Sequence, residues 1–264
     1  MSPLAYLRIW MASIRYSVVR TMMFRFDFFL WVMVDVAWMA VNLLLLEVLF
    51  RHTDEIAGWT KPEMQLLVGT SMLIMRMFIA MFFTNLFGVD RAVREGTFDF
   101  YLAQPGNPLF MISTRKVDLD GVLNTVLAAS IVVYAVRQMG VTPTPGAIAL
   151  YVFMVLCGLA IHYATVVMLV SLSFWIVRMQ GAEQGYFGIF DLSRLPRQAL
   201  GRVMDVVFVY IVPATIVSNF PAETFKSGPS LVNTLWLAGA AVTWLAAAAG
   251  FFHLGLRRYS SASS

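Results

Sequence analysis

The chain has 264 residues, of which 59% are hydrophobic and 13% charged, with a formal charge of +4. A soluble domain carries about twice that share of charge, and at a mean hydropathy of +0.75 the apolar side chains exceed what one core can bury. This excludes a soluble enzyme, a disordered chain and a nucleic-acid module, and the lone cysteine, Cys157, excludes a disulfide framework.

Residues 3–24 carry an apolar stripe, Leu4, Leu7, Met11, Ile14, Val18 and Met22, at gaps of three or four. That spacing is one face of a helix, with Arg8 and Arg15 together on another. A cleavable signal would have a continuous apolar block and a small-residue cleavage site. The segment reads instead as an amphipathic helix lying in the membrane interface. It is either a simple lead-in to the first span or a lever that couples that span to the cytoplasm.

Six segments approach the roughly 20 apolar residues that a helix needs to cross a bilayer: Phe28–Phe50, Met64–Phe87, Val117–Val136, Ala147–Val177, Gly201–Ser218 and Leu231–Leu254. The fifth is short, and Pro213 ends or kinks it. The expected fold class is therefore an all-α integral membrane protein with six transmembrane helices, one domain over residues 1–264. Arginine and lysine gather at one set of ends, including Arg8, Arg15, Arg91, Arg94, Arg115, Lys116, Arg178, Arg194, Arg197, Arg202 and Arg257. Arg51, Lys61, Arg137 and Lys226 form the other set. The asymmetry predicts cytoplasmic termini. The basic residues are thus a topology signal, and no nucleic-acid partner is expected.

The first cytoplasmic loop, residues 88–116, alternates Val89, Val93, Phe98, Phe100, Tyr101 and Leu102 with Asp90, Arg91, Arg94, Glu95 and Asp99. Gly96 permits a turn, and Pro105-Gly106-Asn107-Pro108 stops any helix, so a short helix is expected over Thr97–Ala103. Its aromatics suit an anchor in a partner's pocket or a seat among lipid headgroups; the pattern favours the partner. The second cytoplasmic loop, residues 178–200, repeats the theme. Tyr186, Phe190 and Arg194 are expected to form a second contact there. Residues 219–230, with Pro221, Gly228 and Pro229, form an external loop able to re-enter the membrane. No inverted repeat links the two halves, and the tail Ser260–Ser264 is expected to be disordered.

The chemistry-bearing residues are few. His52, His162 and His253 lie in different segments without ligand spacing, so no metal site is expected; His162 reads as a hydrogen-bonded interior residue. None of the three lysines sits in a phosphate-binding G-x-x-x-x-G-K-[ST] loop. Charges within spans are costly and point to function. Asp35 and Arg76 lie at depths of roughly 10 and 17 Å from the same side, at 1.5 Å per residue, within reach of a long arginine side chain, and are expected to pair. Met75, Phe78 and Phe82 belong to a methionine- and aromatic-rich stretch of the second span. Such a stretch is either ordinary packing or an adaptable wall for greasy or cationic molecules.

The order of these features resembles the permease subunit of a bacterial type-2 ABC exporter. Glu95-Gly96-Thr97-Phe98-Asp99-Phe100-Tyr101-Leu102-Ala103-Gln104-Pro105 is similar to the G-x-[FL]-D-x-x-L-x-x-P loop of one branch of that family, with Gln104 where a basic residue is frequent. Arg194-Leu195-Pro196, Val212-Pro213-Ala214 and Phe220-Pro221-Ala222 resemble its second half. The resemblance implies a multi-pass protein of the bacterial inner membrane. Two permease halves, identical or related, would form the path, and separate P-loop ATPase subunits would hold ATP and magnesium, so this chain binds no cofactor and is not an enzyme. It also implies coupling to the ATPase through Glu95, Gly96, Phe98, Asp99, Leu102 and Pro105. The path for an amphipathic, drug-like or cationic small molecule would run past Asp35, Met75, Arg76, Phe78 and Phe82. The alternative is an ion-coupled transporter with Asp35 and Arg76 as its relay.

Overall fold

The computed structural model describes residues 1–176 and 181–259; Arg178 and Ser260–Ser264 lie outside the described residues. Apart from one hairpin (β1 Glu55–Ile56, β2 Trp59–Thr60, Glu55 opposite Thr60) the described fold is helical. Helix α1 (Pro3–Met23) begins on a proline at its first position, where the missing N–H costs nothing. The non-helical backbone of Phe24 parts it from α2 (Arg25–Leu49). Beyond the hairpin, Thr60 and Glu63 cap α3 reciprocally, Glu63 Oε2 accepting the Thr60 N–H at 2.8 Å. α3 runs over Lys61–Arg94, interrupted by a π-helical stretch at Ile79–Phe83. The short α4 (Asp99–Leu102) and α5 (Pro108–Ser113) follow. Asn107 Oδ1 accepts the Leu109 and Phe110 amides, so the turn after α4 is also the cap of α5. α6 (Leu119–Gln138), α7 (Pro145–Phe174) and α11 (Leu231–Leu256) are long and apolar enough to cross a membrane, as are α2 and α3.

α3 is the central helix. Of its most apolar stretch 72% is buried, against 17% for α2, whose outer face carries Phe26, Phe29, Met33 and Leu44 exposed. Glycines set the close approaches. A Cβ on Gly121 of α6 would sit 2.8 Å from the Ala80 Cα, so the two backbones touch at the π-helical stretch. There the Ala80 carbonyl accepts the Asp118 amide at 2.8 Å.

The fifth crossing differs from the expectation. Gly201–Ser218 is not one kinked span. α9 (Arg202–Ile211) and α10 (Ile216–Lys226) are separated by Val212–Thr215 and meet at 100°. α10 sits at the hairpin end of the bundle: Lys226 Nζ lies 2.8 Å from Glu63 Oε2 and 4.4 Å over the Trp59 ring. The bundle is traversed instead by residues 182–199, comprising α8 (Ala182–Asp191) and two 3₁₀ turns, Leu192–Arg194 and Arg197–Ala199. This segment starts beside Asp90 and Val170 at the arginine-rich end. It passes His162 of α7 and Ser71 of α3, and ends where the Trp59 indole donates to Gln198. Arg197 is therefore at the hairpin end, paired with Asp205 at 2.7 Å, not in a cytoplasmic loop. Residues 219–226 belong to the buried helix α10, so only Ser227–Ser230 remain as a link to α11.

Candidate functional site

Four elements meet around two ion pairs, one largely buried and one whose carboxylate, Asp191, is half-exposed. Arg76 of α3 reaches Asp35 of α2, Nη1 to Oδ1 at 2.6 Å, as the depth arithmetic requires. Asn124 of α6 donates to the other carboxylate oxygen at 2.9 Å. Arg194, following α8, pairs with Asp191 at 3.0 Å and donates from Nη1 to Asn42 Oδ1 at 2.9 Å. Its buried Nε has no partner among the described residues. Between the pairs lies a cavity of about 550 Å³, bounded by Trp31 and Trp38 of α2, Met75, Ile79 and Phe83 of α3, Phe187 of α8, and the carboxylates of Asp118 and Asp120. A second cavity of about 340 Å³ continues toward the arginine-rich end, sharing Trp31, Thr84, Asp118 and Asp120 and reaching Arg20, Asp27 and Lys116.

Asp118 precedes α6 and accepts the Thr84 hydroxyl. Burial pushes its carboxyl above the ordinary range, an effect that Thr84, Lys116 and Arg20 partly offset. Lys116 is held below its ordinary value by burial and by Arg20 and Arg115. Asp120 accepts its own and the Gly121 amides in the first turn of α6, where the helix dipole favours a negative charge.

Of the residues singled out in the sequence, Asp35, Met75 and Arg76 line the larger cavity. Phe78 does not. It is fully buried behind it, against Phe82, Phe83, His162 and Tyr186, and Phe82 packs on Tyr163 at 4.9 Å. Tyr186 and Phe190 are likewise interior. Tyr186 OH lies 2.7 Å from His162 Nδ1, and Phe190 stacks on the His162 ring at 3.8 Å. They offer no surface to a partner, because they lie on the inward face of α8, and Arg194 is turned toward Asp191 and Asn42. Trp31, Trp38, Asp118, Asp120, Phe187 and Asp191 were missed. The signal for part of this set was present: Asp27, Trp31, Asp35 and Trp38 fall at gaps of four, four and three, one face of α2. Among the described residues no group of three or more metal-binding side chains converges.

The loop between α3 and α6 turns at Gly96, whose φ is +70°. Phe98 is fully buried, its ring against Phe174 at 5.4 Å and Tyr259 at 5.2 Å. It anchors α4 to this chain's own core, correcting the expectation of an outward anchor. Asp99 lies beside the Tyr259 hydroxyl, and Leu102 is half-buried. Phe100 is 72% exposed, with Glu95, Gln104 and Pro105 also at the surface. α1 is tied to the far side of this loop: Tyr6 OH accepts the Asn107 amide at 2.9 Å, Tyr6 packs edge-on to Phe110 at 4.7 Å, and Ser17 Oγ accepts the Val117 amide at 3.0 Å.

The sequence model of one family, described as ABC-2 family transporter protein, matches residues 36–263. The chain belongs to this family. It is a multi-pass membrane permease subunit of an ABC transporter, a transport component that works with an associated ABC ATPase. Neither the comparison with curated proteins nor that with solved structures gives a match.

Proposed function

We propose that the chain is half of an ATP-driven export path in a bacterial inner membrane, with the arginine-rich end and both termini in the cytoplasm. A second permease subunit, the same chain or a relative, completes the path, and ATP and magnesium act on the separate ATPase. The carrying observation is the loop between α3 and α6: α4 hangs from the core by Phe98 and turns Phe100 outward at the arginine-rich end. A rigid element with one exposed aromatic suits a partner's pocket. On this reading Glu95, Gly96, Asp99, Leu102 and Pro105 shape and orient the coupling element, as the G-x-F-D-x-x-L-x-x-P branch resemblance implies, and Phe98 acts from inside. Closure of the ATPase pair displaces α4, and the bonds of Tyr6 and Ser17 carry that movement into α1, which favours the lever over the lead-in.

The cargo is an amphipathic small molecule, supported by aromatic and charged walls around one cavity. Asp35 and Arg76 neutralise each other at 2.6 Å, which supports a structural pair over an ion relay. The test is a mild-detergent purification of the tagged chain with identification of co-purifying proteins. A P-loop ATPase that is lost from a Phe100→Ala variant is the expected result. Its absence across several detergents would sink the coupling reading.

A further inference from the structure

We infer that the smaller cavity, between α1, the start of α2 and the chain leading into α6, is a headgroup site for a phospholipid that carries a primary ammonium beside its phosphate, with Arg20 and Lys116 on the phosphate and Asp27 on the ammonium. The site depends on where the membrane begins, at Arg25 of α2, and not on the direction or energy source of transport. Unpaired charge of both signs in one space of about 340 Å³ points to it. Neither the Arg20 guanidinium nor the Lys116 ammonium has an ion pair or a hydrogen bond among the described residues, and the Thr21 and Tyr16 hydroxyls beside them are uncommitted donors. Lys116 is half-buried next to two like charges, Arg20 and Arg115, with only Asp118 acting on it in the opposite sense. A cation drawn partly out of water among like charges is costly unless an anion joins it. Asp118 does not fill that place: it accepts the Thr84 hydroxyl and forms an ion pair with neither cation. Asp120 is turned to the backbone amides of its own helical turn. On the α2 wall Asp27 has no ion pair or hydrogen bond among the described residues. The two cations and Asp27 face one space without pairing across it, so the guest that satisfies them carries both signs.

A phosphate diester accepts charge-assisted hydrogen bonds from a guanidinium and an ammonium, the strong class of such bonds. An ammonium on a short spacer from that phosphate brings three donors to the Asp27 carboxylate. A choline head carries the same charges without an N–H, and a glycerol head leaves Asp27 unanswered. The remaining walls assign the phosphate to a lipid. Phe24, Phe28 and Trp31 line the same cavity, and Phe24 and Trp31 are each 59% exposed. Trp31 lies about 9 Å beyond the start of α2 at 1.5 Å per residue, a depth at which tryptophan favours the membrane interface. The exposed face of α2 continues past it through Met33 and Val34. A soluble phosphorylated compound would leave these apolar side chains bare, whereas acyl chains cover them. The bound headgroup would bridge α1 to the chain before α6 beside the 3.0 Å bond from the Val117 amide to Ser17, and so tighten the docking of α1.

Native mass spectrometry tests this on the full chain, stripped of lipid in a mild detergent and then given dioleoyl phosphatidylethanolamine, phosphatidylcholine and phosphatidylglycerol in equal amounts. The ethanolamine lipid should be retained in preference to the other two. Arg20→Gln and Lys116→Gln should each lower its apparent affinity by about tenfold. Arg20 is on the exposed face of α1, so its variant decides the matter if Lys116→Gln does not fold. Asp27→Asn should erase the preference for ethanolamine over choline and leave phosphate binding in place. Arg8→Gln with Arg15→Gln removes two charges from the same helix outside the cavity and should change nothing. Equal or stronger retention of either other lipid by the parent, unchanged retention in folded Arg20→Gln, or an equal loss in the Arg8 and Arg15 variant overturns the site. Free phosphoethanolamine at the lipid's concentration should not displace it; displacement would overturn the assignment to a lipid.

Discussion

Removing one member of the Asp35–Arg76 pair should destabilise the chain far more than removing both. The Arg76 and Asp35 side chains are 11% and 18% exposed and 2.6 Å apart. At an effective dielectric constant of about 20 that separation corresponds to an attraction of about 6 kcal/mol, most of it offset by desolvation of the two groups. Asp35→Asn keeps the shape and the Asn124 contact but leaves the guanidinium buried and unpaired, a change that costs about 3–5 kcal/mol. Arg76→Met leaves Asp35 stranded in the same way. Asp35→Asn with Arg76→Met strands no charge and should recover most of the loss. The assay is thermal unfolding of the purified chain in one detergent, followed by intrinsic tryptophan fluorescence, for the parent, both single variants and the double. If the single variants melt with the parent, or the double melts below the worse single, the pair does not hold the fold and the relay alternative regains its ground.

Gly121→Val should separate α6 from α3 at Ala80 and cost about 1–3 kcal/mol through overpacking, seen as a lower melting temperature; an unchanged midpoint would show that the contact is loose. Phe98→Ala should cost about 3–5 kcal/mol, as for other buried aromatics, whereas Phe100→Ala should stay within about 0.5 kcal/mol and lose only the ATPase partner. Equal melting of the two would erase the distinction between inner and outer anchor. The carboxyl of Asp118 is raised in the fold, so its contribution is fully present below its ordinary value of 3.8 and is lost as the pH rises through the higher folded value. Asp118→Asn, which keeps an acceptor for Thr84, should therefore gain stability over the parent at neutral pH and not at strongly acid pH. A stability difference independent of pH would contradict this.

The five long spans were legible because each is a continuous apolar run long enough to cross a bilayer. The Asp35–Arg76 pair was legible because helical rise fixes depth. The turn at Gly96 and the break before Pro108 were legible because backbone conformation there depends on single residues. The crossing at 182–199 was not. Glu183, Gln184, Asp191 and Arg194 depress its hydropathy, and neighbours such as Asn42 and His162, distant in sequence, satisfy its polar side chains. Hydropathy treats each segment as if it faced lipid alone, so it passed over this one and chose the more apolar 201–218. The facing of Phe98 and Phe100 was hidden for another reason: a helix of four residues has no period from which to read a side. The cavity drew on four helices at once, and only its α2 wall had a pattern within a single stretch of sequence.

The π-helical stretch at Ile79–Phe83 works as a phase shift in the longest helix. One additional residue in a turn offsets the downstream half by about 100° of rotation relative to an unbroken α-helix. The half that begins at the hairpin therefore sets where Arg76 points, and the half that ends at Arg94 sets, separately, the compass bearing of the loop that carries Phe100. Deleting a single residue there would leave the first half in register and swing the second around its axis. Aim and anchorage in this helix are thus independent settings, joined at the one carbonyl that Asp118 holds.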